Sequence, residues 1–387
     1  MNYNYNEEIQ KTKDALLPFK AFIKKQASGK LPFDYLVPGG PYQAQYDWDS
    51  FFMGVSIALD ISSEAIYLRN FVFNQISNSL TNGKVSGCIT PKGFDERYNH
   101  MKPFLAQGAY FAGMFLNDYS WLNKIWAKLK KIILYREKNQ WSSKYDLGVW
   151  SDGNESGMDN NVALLDYPKN SIVAADLNAY IYLEYKAAAM LARIIKRKKD
   201  EQYFLKRTEE IKTNIQKYLW DEKDKIYYNL NLKTEKSVKR ISISSLIPLF
   251  AGIPSLEQAK NSINKYLFSP SHFWSDYGIR SLSKSDPDYN NKNIIKPFSN
   301  WQGPIWPLIN YLVTHILLRY GFQKEAIELA QKTTSLILDD IKNSGGMHEN
   351  YDAETGKPLA ADNKVSWNLL FSNLLREAVN NTNPFLI

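Results

Sequence analysis

Along most of the chain, apolar residues recur every three or four positions, the period of a helix that buries one face. On this pattern the sequence predicts twelve helices, at 7–27, 49–61, 62–77, 102–116, 119–140, 175–197, 199–220, 241–252, 256–268, 302–321, 323–345 and 365–379. The segment Ala175–Arg197 is representative, with Leu177, Ile181, Leu183, Tyr185, Ala188 and Leu191 placed to build an apolar face. Strand signals are scarce; the run Lys225–Leu232 (KIYYNLNL) predicts a short strand.

The connections alternate in length. After the second, fourth, sixth, eighth and tenth helices the next one follows within a few residues, which makes antiparallel hairpins. After the odd-numbered helices the gaps are long: 28–48, 78–101, 141–174, 221–240, 269–301 and 346–364. Long loops without secondary structure are uncommon in compact domains and are usually functional. If the helices run alternately up and down, all the long loops lie at one end, and each feeds an even-numbered helix. The pattern predicts an all-α fold, an (α/α)6 barrel of six hairpins, with a pocket at the long-loop end. No Pro/Ser linker or charge break divides it, so residues 1–387 are read as a single domain.

Composition narrows the function. Aromatic residues make up 14% of the 387 residues, which excludes a disordered chain. Cys88 is the only cysteine, so an intrachain disulfide, a cysteine zinc site and a CxxC pair are excluded. His100, His272, His315 and His348 show no HExxH spacing, and no metal or cofactor is expected. The first ten residues are polar, with no signal-peptide pattern, and no apolar run approaches the ~20 residues of a membrane span. These features lead us to expect a cytoplasmic protein without a membrane partner. The net charge is +8, but the densest basic run, Lys196–Lys199, sits at a helix end. No nucleic-acid-binding pattern accompanies it, so no nucleic-acid partner is expected. The oligomeric state is left open.

The long loops hold the chemistry. Seven of the ten tryptophans (Trp48, Trp141, Trp150, Trp274, Trp301, Trp306 and Trp367) lie in those loops or in the first turns of the helices they feed. Aromatic platforms beside carboxylates and amides suit a sugar, whose ring faces are apolar and whose hydroxyls need donors and acceptors. Glycoside hydrolysis needs two carboxyl groups flanking the scissile bond, one of them kept protonated by its surroundings. Asp49, Asp152, Glu155, Asp159, Glu349, Asp352 and Glu354 are all candidates, with Asp49 also a plausible helix N-cap and Glu354 a plausible surface turn. Composition does not choose among them.

Four blocks, in order and in separate long loops, resemble those of glycoside hydrolase family 63, in its bacterial mannosylglycerate-hydrolase-like branch, and more distantly the family 37 trehalases. Tyr46-Asp47-Trp48-Asp49-Ser50-Phe51-Phe52 is similar to the early W-D-[ST]-x-F block. Glu155-Ser156-Gly157-Met158-Asp159-Asn160-Asn161 is similar to the block carrying the general acid, with Met158 and Asn161 departing from the usual Trp and small hydroxyl. Asn300-Trp301-Gln302-Gly303-Pro304-Ile305-Trp306-Pro307 is similar to the W-x-G-P-x-W block. Glu349-Asn350-Tyr351-Asp352-Ala353-Glu354-Thr355-Gly356 is similar to the block carrying the general base.

The resemblance implies an inverting α-glycosidase with Asp159 as general acid and Glu349 as general base. A small carbohydrate would then meet Tyr46, Trp48, Asp49, Phe51, Gln107, Glu155, Asn160, Trp301, Gln302, Gly303, Trp306, Tyr351 and Trp367. The substrate expected is a small α-glucoside or α-mannoside, such as a glycosylglycerate or short α-oligosaccharide. The alternatives are a trehalase-like disaccharide hydrolase, a sugar epimerase or lyase, and a carbohydrate-binding protein without catalysis.

Overall fold

The computed structural model describes residues 5–95, 99–296 and 298–386. Among the described residues, twelve of fourteen α-helices follow the predicted order, the two short turns Tyr135–Asn139 and Gly153–Ser156 being extra: α1 (Tyr5–Leu16), α2 (Asp47–Asp60), α3 (Ile66–Asn78), α4 (Leu105–Leu116), α5 (Leu122–Ile133), α6 (Ala175–Ile194), α7 (Lys198–Tyr218), α8 (Ile247–Phe250), α9 (Leu256–Ser262), α10 (Pro307–Arg319), α11 (Gln323–Ser344) and α12 (Phe371–Asn380). The basic run falls on the tight link between α6 and α7, where Lys196 turns the chain with φ 60°.

Two kinds of helix alternate. The even-numbered ones are buried all round: every residue of α2 from Asp47 to Ala58 is buried, as is α10 from Pro307 to Leu318. The odd-numbered ones bury one stripe. In α7 that stripe is Phe204, Thr208, Ile211 and Ile215, at the three- and four-residue steps of a surface helix. Contacts explain the difference. The even helices touch in cyclic order, α2 to α4, α6, α8, α10, α12 and back to α2. Outside them α3 packs on α2 and α4, α7 on α6, α11 on α10 and α12, and α1 on α11 and α12.

Several predicted boundaries move, for local reasons. The helix expected over 7–27 stops at Leu16 and continues as a 3₁₀ turn, Leu17–Ala21, because Pro18 has no N–H to donate. The helix expected over 241–252 is a 3₁₀ turn, Ile243–Leu246, followed by the short α8 with Pro248 in its first turn. The one expected from 302 starts at Pro307, a residue suited to a first helical position. The N-cap of α2 is Tyr46, so Asp49 is not a cap but a residue of the first turn.

The fold is helix-rich rather than all-α. Short antiparallel strands organise the loops. Lys236–Val238, Asn229–Asn231, Ile172–Val173, Leu147–Trp150 and Trp141–Ser142 form a five-stranded sheet in that order, and Gln45–Tyr46, Cys88–Thr90 and Gly93–Phe94 form a three-stranded one. The predicted strand over 225–232 is two pieces, Ile226–Tyr227 and Asn229–Asn231. Strands of two to four residues are too short to show period-two alternation, which is why the sequence pattern passes over the others. Among the described residues no helix is long and apolar enough to cross a membrane.

Candidate active site

At the long-loop end, a pocket of about 470 Å³ is lined by Tyr42, Tyr46, Trp48, Asp49, Lys102, Asn154, Gly157, Asp159, Trp301, Trp306, Glu349, Lys364 and Trp367. Its wall is a tryptophan cluster. Trp301 and Trp306 stack at 3.8 Å with planes 9° apart, and Trp48 and Trp367 meet edge to face at 5.6 Å. Trp367 also reaches Trp306 at 6.0 Å, and Trp48 reaches Trp301 at 6.2 Å. Such rings present apolar faces with little freedom to move.

The five-stranded sheet aims the loop that carries Asp159. Leu147–Trp150 delivers the chain to Asp152, whose carboxylate accepts the Glu155 N–H and caps a single helical turn, Gly153–Ser156. Glu155 itself turns away from the pocket. It pairs with the Arg136 guanidinium at 2.9 Å and accepts from Gln140 Nε2 and the Ser151 N–H. It is a buried anchor for the loop, and removing either charge would strand the other at a cost of about 3–5 kcal/mol.

Gly157 ends the turn with φ +79°, and a Cβ there would lie 2.6 Å from Trp48 Cζ2. Gly157→Ala is therefore expected to destabilise the protein by about 1–3 kcal/mol. By pushing the Trp48 ring it should also cut kcat/KM about tenfold or more. Urea denaturation and initial rates on the same preparation check both.

The loop that carries Glu349 is fastened from three sides. Its N–H donates to the Ala361 carbonyl at 2.9 Å, and Tyr351 exchanges backbone hydrogen bonds with Ile305, next to Trp306. On α11, Asp340 accepts from the backbone and ring of His348 and from the Tyr351 hydroxyl, so one carboxylate grips both flanks of Glu349. The same contact holds His348 above its ordinary pKa and Asp340 below its own.

Asp159 and Glu349 meet at Ser299. The Ser299 N–H donates to Asp159 Oδ2 at 3.3 Å, and its hydroxyl donates to Glu349 Oε2 at 2.9 Å. A serine N and Oγ are at most about 3.7 Å apart, so the two carboxylate oxygens lie within about 10 Å. That ceiling admits both the ~5–5.5 Å of a retaining pair and the ~6.5–9.5 Å of an inverting one. Burial, reinforced by Glu349, pushes Asp159 up to about 7 against the opposing Ser299 N–H, Lys102 and Lys364. Glu349 also accepts from the Tyr42 hydroxyl at 3.2 Å. Asp49 is raised by burial and held by the Ser366 hydroxyl and Lys364.

Of the residues named from the sequence, the structure brings Tyr46, Trp48, Asp49, Asp159, Trp301, Trp306, Glu349 and Trp367 to this pocket. The others stand behind it. Phe51 packs into a ring cluster with Phe52, Phe104 and Phe385. Gln107 lies in the first turn of α4, its backbone N–H held by Glu184 and its amide donating to the Pro103 carbonyl. Asn160 accepts the Trp301 N–H and donates to Asn300, and Gln302 donates to the Asn160 carbonyl. These bonds join the Asp159 loop to the tryptophan loop. Gly303 is there because a Cβ would lie 2.2 Å from the Asn290 carbonyl oxygen. Tyr351 is fully buried with its hydroxyl on Asp340. Asp352 and Glu354 belong to a surface turn, where Glu354 is held by Arg280, Lys284 and Tyr289.

Sequence reasoning missed Tyr42, Lys102, Ser299 and Lys364. Lys102 pairs with Asp47 at 3.1 Å and lies over the Trp48 ring at 4.9 Å. Lys102 opens the stretch Lys102–Gly108, which resembles a less distinctive family block through Gln107, while Tyr42, Ser299 and Lys364 lie outside every block; adjacency to Asn300 was the available signal for Ser299.

Comparison with known proteins places the chain among glycoside hydrolases. Mannosyl-oligosaccharide glucosidase of Saccharomyces cerevisiae is 26% identical over 275 residues, covering 65% of this chain and 31% of that protein. The chain thus spans about a third of that relative's length. Periplasmic trehalase of Pseudomonas aeruginosa is 24% identical over 375 residues, covering 83% of this chain and 66% of the trehalase. The crystal structure of the family 63 mannosylglycerate hydrolase from Thermus thermophilus, in complex with Tris and D-glycerate, superposes with a TM-score of 0.74. It is 16% identical, with 93% of this chain and 99% of that one covered. The family model of the mannosylglycerate hydrolase MGH1-like glycoside hydrolase domain matches residues 115–367. That match takes in more than half of the sequence, including both the Asp159 and Glu349 loops, and the chain belongs to this family of glycoside hydrolase domains.

Proposed function

We propose that the chain is an inverting α-glycosidase acting on a small α-glucoside or α-mannoside, a glycosylglycerate or a short α-oligosaccharide. It does so as one (α/α)6 barrel domain spanning residues 1–387, the cyclic contact of the even helices being the ring of that barrel. Asp159 is the general acid and Glu349 the general base. Tyr46, Trp48, Asp49, Trp301, Trp306 and Trp367 shape the sugar subsite, and the residues behind them hold it in place. The single observation that carries the reading is the meeting of two carboxyl groups at Ser299 inside a tryptophan-walled pocket, from positions 140 and 50 residues away along the chain. One of the two is raised to about 7, so it is largely protonated below neutral pH. The lone Cys88 favours a reducing, cytoplasmic setting.

An epimerase would need a base such as histidine in the mouth, and the ring of His348 is turned to Asp340 instead. The similarity to a trehalase over most of the chain keeps α,α-disaccharides among the substrates to try. The test is incubation with a panel of α-glucosides and α-mannosides, including glycosylglycerates and trehalose, with the released sugar followed by proton NMR. The β-anomer is expected first. Initial α-anomer would overturn inversion, and no hydrolysis of any substrate would overturn the glycosidase reading.

A further inference from the structure

Lys364 is a buried cation inside the candidate active site that no motif singled out. Its side chain is 4% exposed, and its ammonium lies 3.5 Å from Glu349 Oε1 and 3.8 Å from Asp49 Oδ1. The same ammonium lies over the Tyr42 ring, 3.8 Å from the centroid, and 4.6 Å from the Trp367 centroid. Desolvating an ammonium is costly, and two carboxylates and two ring faces offset it here. A group held this way has a fixed place. Its backbone is fixed as well, the Lys364 N–H donating to the Met347 carbonyl at 2.8 Å.

The arrangement divides the two oxygens of Glu349. Oε2 accepts from the Tyr42 and Ser299 hydroxyls, and Oε1 faces Lys364 alone among the described residues. A carboxylate offers about four lone-pair sites, so the remaining capacity is on Oε1. The other charged groups lining the pocket are Asp49 from α2, Asp159 from its loop and Lys102 from the segment before α4. Lys364 is the cation in contact with Glu349.

Resting on the reading of Glu349 as general base, we infer that Lys364 is a positioning residue for that base: its ammonium sets a fixed positive charge 3.5 Å from Oε1 and leaves that oxygen with capacity to take the proton of the attacking water. In the step this serves, the water oxygen bonds to the anomeric carbon and the water proton goes to Glu349 Oε1. The glycosidic carbon–oxygen bond breaks, and the leaving oxygen takes the Asp159 proton. Asp49 acts on the base through Lys364, and the Tyr42 ring face keeps the ammonium in register while the Tyr42 hydroxyl holds Glu349 Oε2 directly.

The test uses the full chain labelled with ¹³C at glutamate side-chain carboxyls, with the Glu349 signal assigned by its loss in Glu349→Gln. In Lys364→Met, of similar length and no charge, the Glu349 midpoint is expected to rise by about one pH unit or more. Lys364→Arg should restore it. On any α-glycoside the protein hydrolyses, the acidic limb of kcat/KM should move upward with the carboxyl midpoint. If Lys364→Met fails to fold by circular dichroism, Lys364→Gln carries the same titration. An unmoved midpoint in the uncharged variant, with activity reduced equally at every pH, would overturn the inference and make Lys364 a packing residue. The titration needs no substrate, so failure of the wild-type protein on the whole glycoside panel sinks the glycosidase reading separately.

Discussion

Replacing Asp159 by asparagine is expected to lower kcat by at least ~10²-fold on glycosides with poor leaving groups, while the fold survives. An acid matters in proportion to the proton the leaving oxygen needs. The loss should therefore shrink on an activated aryl glycoside, whose phenolate departs without one. The amide can still accept the Ser299 N–H through its oxygen, so the loop has no reason to move. The pH profile carries the same signature. A general acid works in its protonated form, so activity should decline as pH rises through the value of about 7 to which burial pushes Asp159. Rates measured on either side of that value, on good and poor leaving groups, check this. An equal loss on both classes would remove Asp159 from the acid role.

Replacing Glu349 by glutamine should cost at least as much, ~10²-fold or more, but with no leaving-group preference. The base acts on water, and water is the same for every substrate. Glutamine keeps an oxygen to accept from the Tyr42 and Ser299 hydroxyls but puts an amide nitrogen, which cannot take a proton, in place of the oxygen that faces Lys364. Steady-state rates on the same two substrate classes, with thermal unfolding as the control for folding, decide it. Near-normal turnover would move the base elsewhere, and Asp49, raised by burial beside Lys364, is where it would be sought.

Helix order was legible in the sequence because the outer helices leave a periodic apolar stripe and the inner ones long, mostly apolar runs. The fully buried α2 and α10 and the striped α7 read equally well as helices. The strands were not legible, since pairs such as Asn350–Tyr351 with Pro358–Leu359 are held by backbone bonds that no side-chain pattern records. In the site, the tryptophans and the three pocket carboxylates were named, but side-chain direction was not available. Glu155 and Asp159 sit four residues apart in one block, yet the first is spent on Arg136 and the second faces the pocket. Gln107, Asn160, Gln302, Gly303 and Tyr351 were placed one layer too far forward for the same reason. Four of the seven loop tryptophans line the pocket. Trp150 instead donates to Asp176 in the interior and Trp141 to Asp146.

The contact between α12 and α2 that closes the ring also decides when the pocket can exist. Tyr42 reaches Glu349 across 307 residues, Ser56 reaches the Leu369 carbonyl across 313, and Ser366 reaches Asp49 across 317. Contacts this distant in the chain must overcome the largest loop-closure entropy and form slowly. During synthesis, Tyr42, Trp48 and Asp49 emerge long before the residues that complete their surroundings. Until then the growing chain holds an open arc of hairpins with an aromatic edge and no partner for it. Folding of the last pair of helices is thus the same event as assembly of the pocket, and a nascent or truncated chain that lacks them carries the Asp159 loop without Glu349 opposite it.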